Sequence, residues 1–186
     1  MNRQRGKRAA MLTAAAIAYL SLAACDDDIA LLPREAIVPG SVVTQYFPDV
    51  TKESGTGPNE TSVGKPIASR SVVFTSADGK KKVTLSVDQY ASASDATVAY
   101  QTAVQGSKAA PGFQPAAAPD LGEAAFAGSS QVGAERHFGL GARDGTLIMS
   151  ATHAGDIPVT PDNTNNLISL GRVELDTAKQ VLLVKQ

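Results

Sequence analysis

The side chains able to do chemistry near neutral pH are two histidines, one cysteine and a scatter of carboxylates. A zinc site needs closely spaced Cys or His ligands, and His137 and His153 do not supply them. In the hairpin register derived below, His137 faces Thr152, while His153 lies opposite Arg136 on the other face of the sheet. Both read as surface or half-buried side chains. The run Gly128-Ser129-Ser130-Gln131-Val132-Gly133 misses the G-x-S-x-G spacing of a serine-hydrolase elbow. Gly139-Leu140-Gly141 begins like a dinucleotide loop, but Asp144 stands in place of the third glycine. Gly64-Lys65 is no phosphate loop, because Asn59 replaces the first Gly and Pro66 the Ser or Thr. Asp88, Asp120 and Glu123 are acid/base candidates by type, but nothing in the sequence brings two of them together. No catalytic residue, metal ligand or cofactor is assigned, and the ligand-binding residues stay open.

The elements that would position these groups are mostly strands. Two Asp-Gly pairs mark hairpins, since that pair suits a type I′ turn. Centring the first on Asp78-Gly79 pairs Phe74 with Val83 and Val72 with Leu85. A turn at Asp144-Gly145 pairs Ala142 with Leu147, Leu140 with Met149 and Phe138 with Ala151. Both registers sort apolar from polar side chains, and a slip of one residue scrambles the sorting. Ser41 to Phe47 reads as a short first strand, 52–66 as a loop, and Leu121 to Ala127 as a further strand. Ala96, Ala99, Tyr100, Ala103 and Val104 recur at helical spacing after a Ser92 or Ser94 cap, with Gly106 as the stop. Leu167, Ile168, Leu175, Ala178 and Leu182 form an apolar stripe, predicting a helix over 161–185 in which Gly171 is either a break or a point of close approach. The expected fold is α+β: an antiparallel sheet of two Asp-Gly hairpins, both helices on one face, and a two-fold pseudo-repeat.

The amino terminus is of a different character. Residues 1–8 are polar and basic, and Ala9 to Ala24 are apolar apart from Thr13 and Ser21. A basic start, a short apolar run and small residues at its end make a secretory signal peptide, and the run is short for a membrane span. Leu22-Ala23-Ala24-Cys25 resembles the lipobox of bacterial lipoprotein precursors. That resemblance implies a diacylglycerol thioether on Cys25, cleavage after Ala24 and acylation of the new amine, by palmitate or a similar chain. Asp26 to about Gly40, with Pro33 and Pro39 and little period, reads as a tether, so three regions are expected: signal peptide 1–24, lipidated Cys and tether 25–40, and a single domain 41–186. Asp26 after the cysteine resembles the signal for inner-membrane retention in enteric lipoproteins, and a Gram-positive cell surface is the other setting in which such an anchor works. Leu121-Gly122-Glu123-Ala124-Ala125-Phe126 and Arg143-Asp144-Gly145-Thr146 resemble, loosely, segments of secreted sensor and lipoprotein domains of bacteria; no functional residue is carried over.

Charge narrows the partners. The first 24 residues hold four basic residues and no acidic one, leaving 13 basic and 18 acidic, a formal charge of −5. An acidic chain lacks the concentrated positive surface that nucleic acid requires. Lys80-Lys81-Lys82 reads as a solvated hairpin tip. With one cysteine there is no internal disulfide, so stability rests on the hydrophobic core. The expected function is a non-enzymatic binding or accessory module, tethered to a membrane by lipid on Cys25 and facing an envelope protein or cell-wall component. Its expected working surface is the sheet face around Gly139 and Gly141, with His137, Arg143 and Thr152. The alternatives are an envelope enzyme with a site of dispersed residues, or a carrier with a large apolar cavity. Cys25→Ser is expected to abolish both lipid labelling and cleavage, and mass spectrometry of the mature protein should find its first residue at position 25.

Overall fold

A computed structural model describes residues 29–133 and 135–183; the expected signal peptide and the expected lipidation site, Cys25, lie outside the described residues. Eight strands form one mixed sheet flanked by three helices, an α+β fold. The strands are β1 (Ala30–Leu31), β2 (Val50–Gly57), β3 (Ala68–Ser76), β4 (Lys81–Gln89), β5 (Gln114–Pro115), β6 (Ala124–Val132), β7 (Glu135–Asp144) and β8 (Leu147–Gly155). The helices are α1 (Gly40–Tyr46), α2 (Ala93–Ala109) and α3 (Pro161–Leu183), and a 3-10 turn spans Arg34–Ala36. The sheet order is β1-β3-β4-β8-β7-β6-β5, with β2 also on β3. β1 and β2 therefore share one edge of β3: β1 runs parallel beside Ala68 and Ser69, and β2 antiparallel beside Ser71 to Ser76. The sheet is thus not wholly antiparallel.

Alternation along the strands divides the sheet into two unlike faces. Val72, Phe74, Val83, Leu85, Val87, Leu140, Ala142, Met149 and Ala151 are buried on one face, beneath Leu167, Leu170, Leu175 and Ala178 of α3. A Cβ on Gly171 would sit 3.1 Å from Leu140 Cδ1 and 3.2 Å from Met149 Cε, so this glycine lets α3 lie close on the sheet without breaking it. The second face is built from Ser69, Ser71, Thr84, Ser86, Ser150 and Thr152, with glycines on β6 and β7. Helix α2 packs on this second face, through Ala96 and Ala99 with Tyr90 and Ile148. The two long helices therefore lie on opposite faces, contrary to the expectation of one covered face. The small residues of α2 form a stripe too slight to compete with α3 for the main core.

The first hairpin pairs Phe74 with Val83 and Val72 with Leu85, around Asp78-Gly79. The second hairpin is shifted by two residues from the expected register: Asp144 pairs with Leu147, Ala142 with Met149, Leu140 with Ala151 and Phe138 with His153. The loop is Gly145-Thr146, with Gly145 at φ 56° and no positive φ at any described non-glycine residue. A glycine in the first central position is the type II′ arrangement, which spares Asp144 the positive φ of type I′. A shift of two preserves which residues face the core, so the apolar sorting survives.

Other expectations change with tertiary context. Residues 30–40 are not a tether: Leu32, Ala36, Ile37 and Val38 are at most 2% exposed and belong to the core. Ser41 to Tyr46 lie in α1 rather than in a strand, and Lys52 to Gly57, expected as part of a loop, belong to β2. Ser92 caps α2 by accepting from the Asp95 amide, but the helix passes Gly106 and runs to Ala109, two residues before Pro111.

Two polar side chains tie the amino-terminal segment down. Arg70 donates from Nε to the Leu32 carbonyl and from its guanidinium to Thr56 Oγ1, joining β1, β3 and β2. Glu174 of α3 is fully buried, and its Oε2 accepts from the Val38 amide at 2.9 Å. Burial pushes the Glu174 carboxyl up to about 8, against the smaller opposing effects of that hydrogen bond and of Arg34.

Two outcomes follow from this packing. Gly145→Val is expected to cost about 1–3 kcal/mol, the usual penalty for a non-glycine residue at positive φ, read by thermal denaturation. The raised Glu174 value means that the folded protein holds a proton which the unfolded chain releases above its ordinary 4.5. Its stabilising contribution is complete below about 4.5 and is lost as pH climbs through about 8. Glu174→Gln keeps an acceptor for the Val38 amide and should flatten the decline in melting temperature across pH 6.5 to 8. An equal decline in the variant would show that another group causes it.

Candidate functional site

The second face of the sheet is only partly covered. At one end, Phe126 lies over Gly141, where a Cβ would come within 3.1 Å of the ring, and Tyr100 of α2 meets Phe126 edge-on at 6.3 Å. Gly141 is therefore roofed by an aromatic ring and is not the open backbone the sequence suggested. Phe113 covers Gly128 in the same manner. Gly139, next along β7, meets only the Thr152 methyl at 3.1 Å and the Ala151 carbonyl oxygen at 3.7 Å.

Beyond these rings the face is open. A depression of about 400 Å³ is lined by Lys80, Lys82, Thr84, Glu135, His137, Thr152 and Ala154, with the Gly79 turn and Gly155-Asp156 at its rim. Antiparallel pairing of β4 with β8 sets Thr84 beside Thr152 and Ser86 beside Ser150, whose hydroxyls lie 2.6 Å apart. His137 Nε2 stands 3.5 Å from Glu135 Oε2. The lining thus offers two hydroxyls, an imidazole, two ammonium groups and carboxylates, a set that hydrogen-bonds polar and anionic groups. Of the sequence candidates, His137 and Thr152 meet here. Arg143 is drawn away, bonded to Glu123 at 2.5 Å.

His153 takes no part in that surface. Alternating with Leu147, Met149 and Ala151, it faces the core, opposite Phe138 rather than Arg136, fully buried between Phe138 at 5.8 Å and Phe47 at 6.0 Å. Neither ring nitrogen has a hydrogen-bond partner among the described residues. Burial first, and the charge of His137 second, hold it down to about 4, so the ring is neutral at physiological pH. The two histidines lie on opposite faces, as their alternation in the sequence indicated. Among the described residues no group of three His, Cys, Asp or Glu is placed to hold a metal ion.

The carboxylates singled out by type go to separate tasks. Asp88 is 4% exposed and accepts from Asn59 Nδ2 at 2.9 Å and Ser62 Oγ at 2.7 Å, stapling the 58–66 loop to β4. Burial raises its carboxyl to about 6, although both hydrogen bonds pull it down. Glu123 pairs with Arg143, whereas at Asp120 it is the main-chain carbonyl, not the carboxylate, that accepts from Arg172. Sequence reasoning missed the buried Glu174. Its position four residues after Leu170 and four before Ala178 places it on the apolar stripe of α3, and that signal was available.

No described helix is long and apolar enough to cross a membrane. No family model matches the chain, and no curated protein matches it. Among solved structures, the chain is similar to LpqN, described as involved in cell envelope biogenesis of Mycobacterium tuberculosis, at 17% identity over 67% of this chain and 82% of that one, with a TM-score of 0.35. It is also similar to the extracellular domain of PknH from Mycobacterium tuberculosis, with a TM-score of 0.52 and 8% identity over 78% of this chain and 93% of that one, a likeness of fold.

Proposed function

We propose that this chain is an exported, lipid-anchored binding module of the cell envelope, without enzymatic activity, that takes a polar envelope component on the open part of its second sheet face. The observation that carries the reading is the depression around Thr84, His137 and Thr152, left uncovered where α2 and the Phe126 ring end. A half-covered face lined by hydroxyls and ammonium groups satisfies ligand hydrogen bonds without a large apolar cavity. Two features support the location. The lipobox-like Leu22-Ala23-Ala24-Cys25 follows a signal-peptide pattern, and the fold resembles a domain described as extracellular. Asp26 favours the periplasmic side of an inner membrane over other surfaces.

The test places bulk in the depression. Thr152 is exposed, and Gly139 has only the Thr152 methyl and a main-chain oxygen near its added side chain. Thr152→Arg and Gly139→Arg are expected to keep the melting temperature and to weaken binding to isolated envelope fractions at least about tenfold, or roughly 1.4 kcal/mol. Gly141→Arg is expected to lower the melting temperature instead, because it must displace the Phe126 ring. Undiminished binding by Thr152→Arg and Gly139→Arg would remove this surface from the function. Turnover of an envelope substrate that disappears in His137→Ala would favour the enzyme alternative.

A further inference from the structure

Three of the four large apolar side chains that stand exposed among the described residues gather at one corner of the sheet: Ile29 at 41%, Leu31 at 52% and Ile67 at 52%. Their proximity follows from pairing. β1 runs parallel to β3 with Ala30 beside Ala68 and Leu31 beside Ser69, and the Ala30 amide donates to the Ile67 carbonyl at 3.2 Å. One residue further back, this register sets Ile29 beside Ile67. Ile29 and Ile67 thus adjoin the paired ends of β1 and β3, with Leu31 beside Ser69 two residues along. Exposed Lys65 lies two residues before Ile67. Single exposed apolar residues are ordinary, but a cluster on an otherwise polar surface marks a contact.

The sequence indicates what covers this corner. Four peptide units separate Cys25 from Ile29, a span of at most about 14 Å even when fully extended. A lipid on Cys25 therefore keeps the patch close enough to reach the headgroup layer, where apolar side chains gain by insertion and an ammonium meets anionic lipid. We infer that Ile29, Leu31 and Ile67 form a bilayer-contact surface that seats the domain on the membrane in a fixed orientation. This rests on the lipid-anchor reading. The acyl chains supply attachment, and the patch supplies orientation. The hairpin tip at Asp78-Gly79 and the depression beside it lie at the opposite end of β3 and β4 and are held away from the bilayer.

The absence of tryptophan from the sequence makes the test direct, because each introduced Trp is the sole one. Leu31→Trp, Ile67→Trp and, as the distant control, Thr51→Trp are made in the full acylated mature protein. Thr51 follows Val50, which pairs with Ser76, eight residues along β3 from Ala68 or about 26 Å. Each protein is reconstituted into phosphatidylethanolamine–phosphatidylglycerol vesicles containing phosphatidylcholine brominated on its acyl chains. Mass spectrometry of Cys25 and vesicle flotation establish the anchor separately. The expected result is blue-shifted emission that loses most of its intensity to the brominated lipid at positions 31 and 67, and unshifted, unquenched emission at position 51. Floating, acylated protein with no quenching at 31 or 67 would overturn the patch and leave the anchor standing. A shift that grows with protein concentration and ignores brominated lipid would overturn it in favour of a second copy of the chain. Protein that neither carries lipid on Cys25 nor floats would overturn the anchor, and the patch with it.

Discussion

The ladder between β4 and β8 is the pairing on which the rest of the molecule depends. It joins the two hairpins into one sheet, in unbroken register from Lys81 beside Gly155 to Gln89 beside Leu147. Because both strands are central, each must present one wholly dry face. Val83, Leu85 and Val87 meet that demand opposite His153, Ala151 and Met149. The same register places Thr84 against Thr152 and Ser86 against Ser150 on the other side. One pairing therefore builds both the floor of the hydrophobic core and the floor of the polar depression, and a slip of one residue would exchange them.

The core carries two ionisable groups that an apolar interior would not need. His153 stays neutral between two phenyl rings, and Glu174 holds a proton over a main-chain amide at neutral pH. Their effects on stability run in opposite directions with pH. A histidine held below its ordinary 6.5 costs stability as pH falls from 6.5 towards about 4, whereas Glu174 costs stability as pH rises from 4.5 towards about 8. Where the two windows overlap they offset one another. Glu174 also fixes the segment immediately before α1, which makes it a clamp between the last helix and the first buried stretch of the chain.

Much of this was legible in the sequence where period and burial agree. The strands around Val72, Phe74, Val83 and Leu85 alternate strictly, and their register follows from the Asp78-Gly79 turn. The stripe from Leu167 to Ala178 reads as a buried helix and is one. Reading was poorest where tertiary pairing overrides local chemistry. Lys52 to Gly57 has the composition of a loop and becomes a strand because the edge of β3 offers it a ladder. Pro33 and Pro39 suggested a tether, yet Leu32, Ile37 and Val38 between and beside them are sealed by Arg70 and Glu174. The open depression was read in part, through His137 and Thr152. Its other half comes from Lys82 and Thr84 on a strand distant in sequence, and no local pattern announces that juxtaposition.

The position of β8 also governs the order in which the fold can assemble. Ser86 and Ser150, neighbours in the finished sheet, are 64 residues apart in the chain. A chain emerging from its amino terminus can close the β3–β4 hairpin early, but the inner edge of β4 stays unpaired until β8 has followed. Contacts of such long separation must meet the loop-closure entropy before any ladder bond rewards it, which makes folding slow and leaves a bare strand edge in the meantime. The Lys82 ammonium and the alternating hydroxyls of Thr84 and Ser86 along β4 are the kind of polar groups that disfavour edge-to-edge pairing, so the polarity of the second face bears on the unfinished sheet as well as on the folded one.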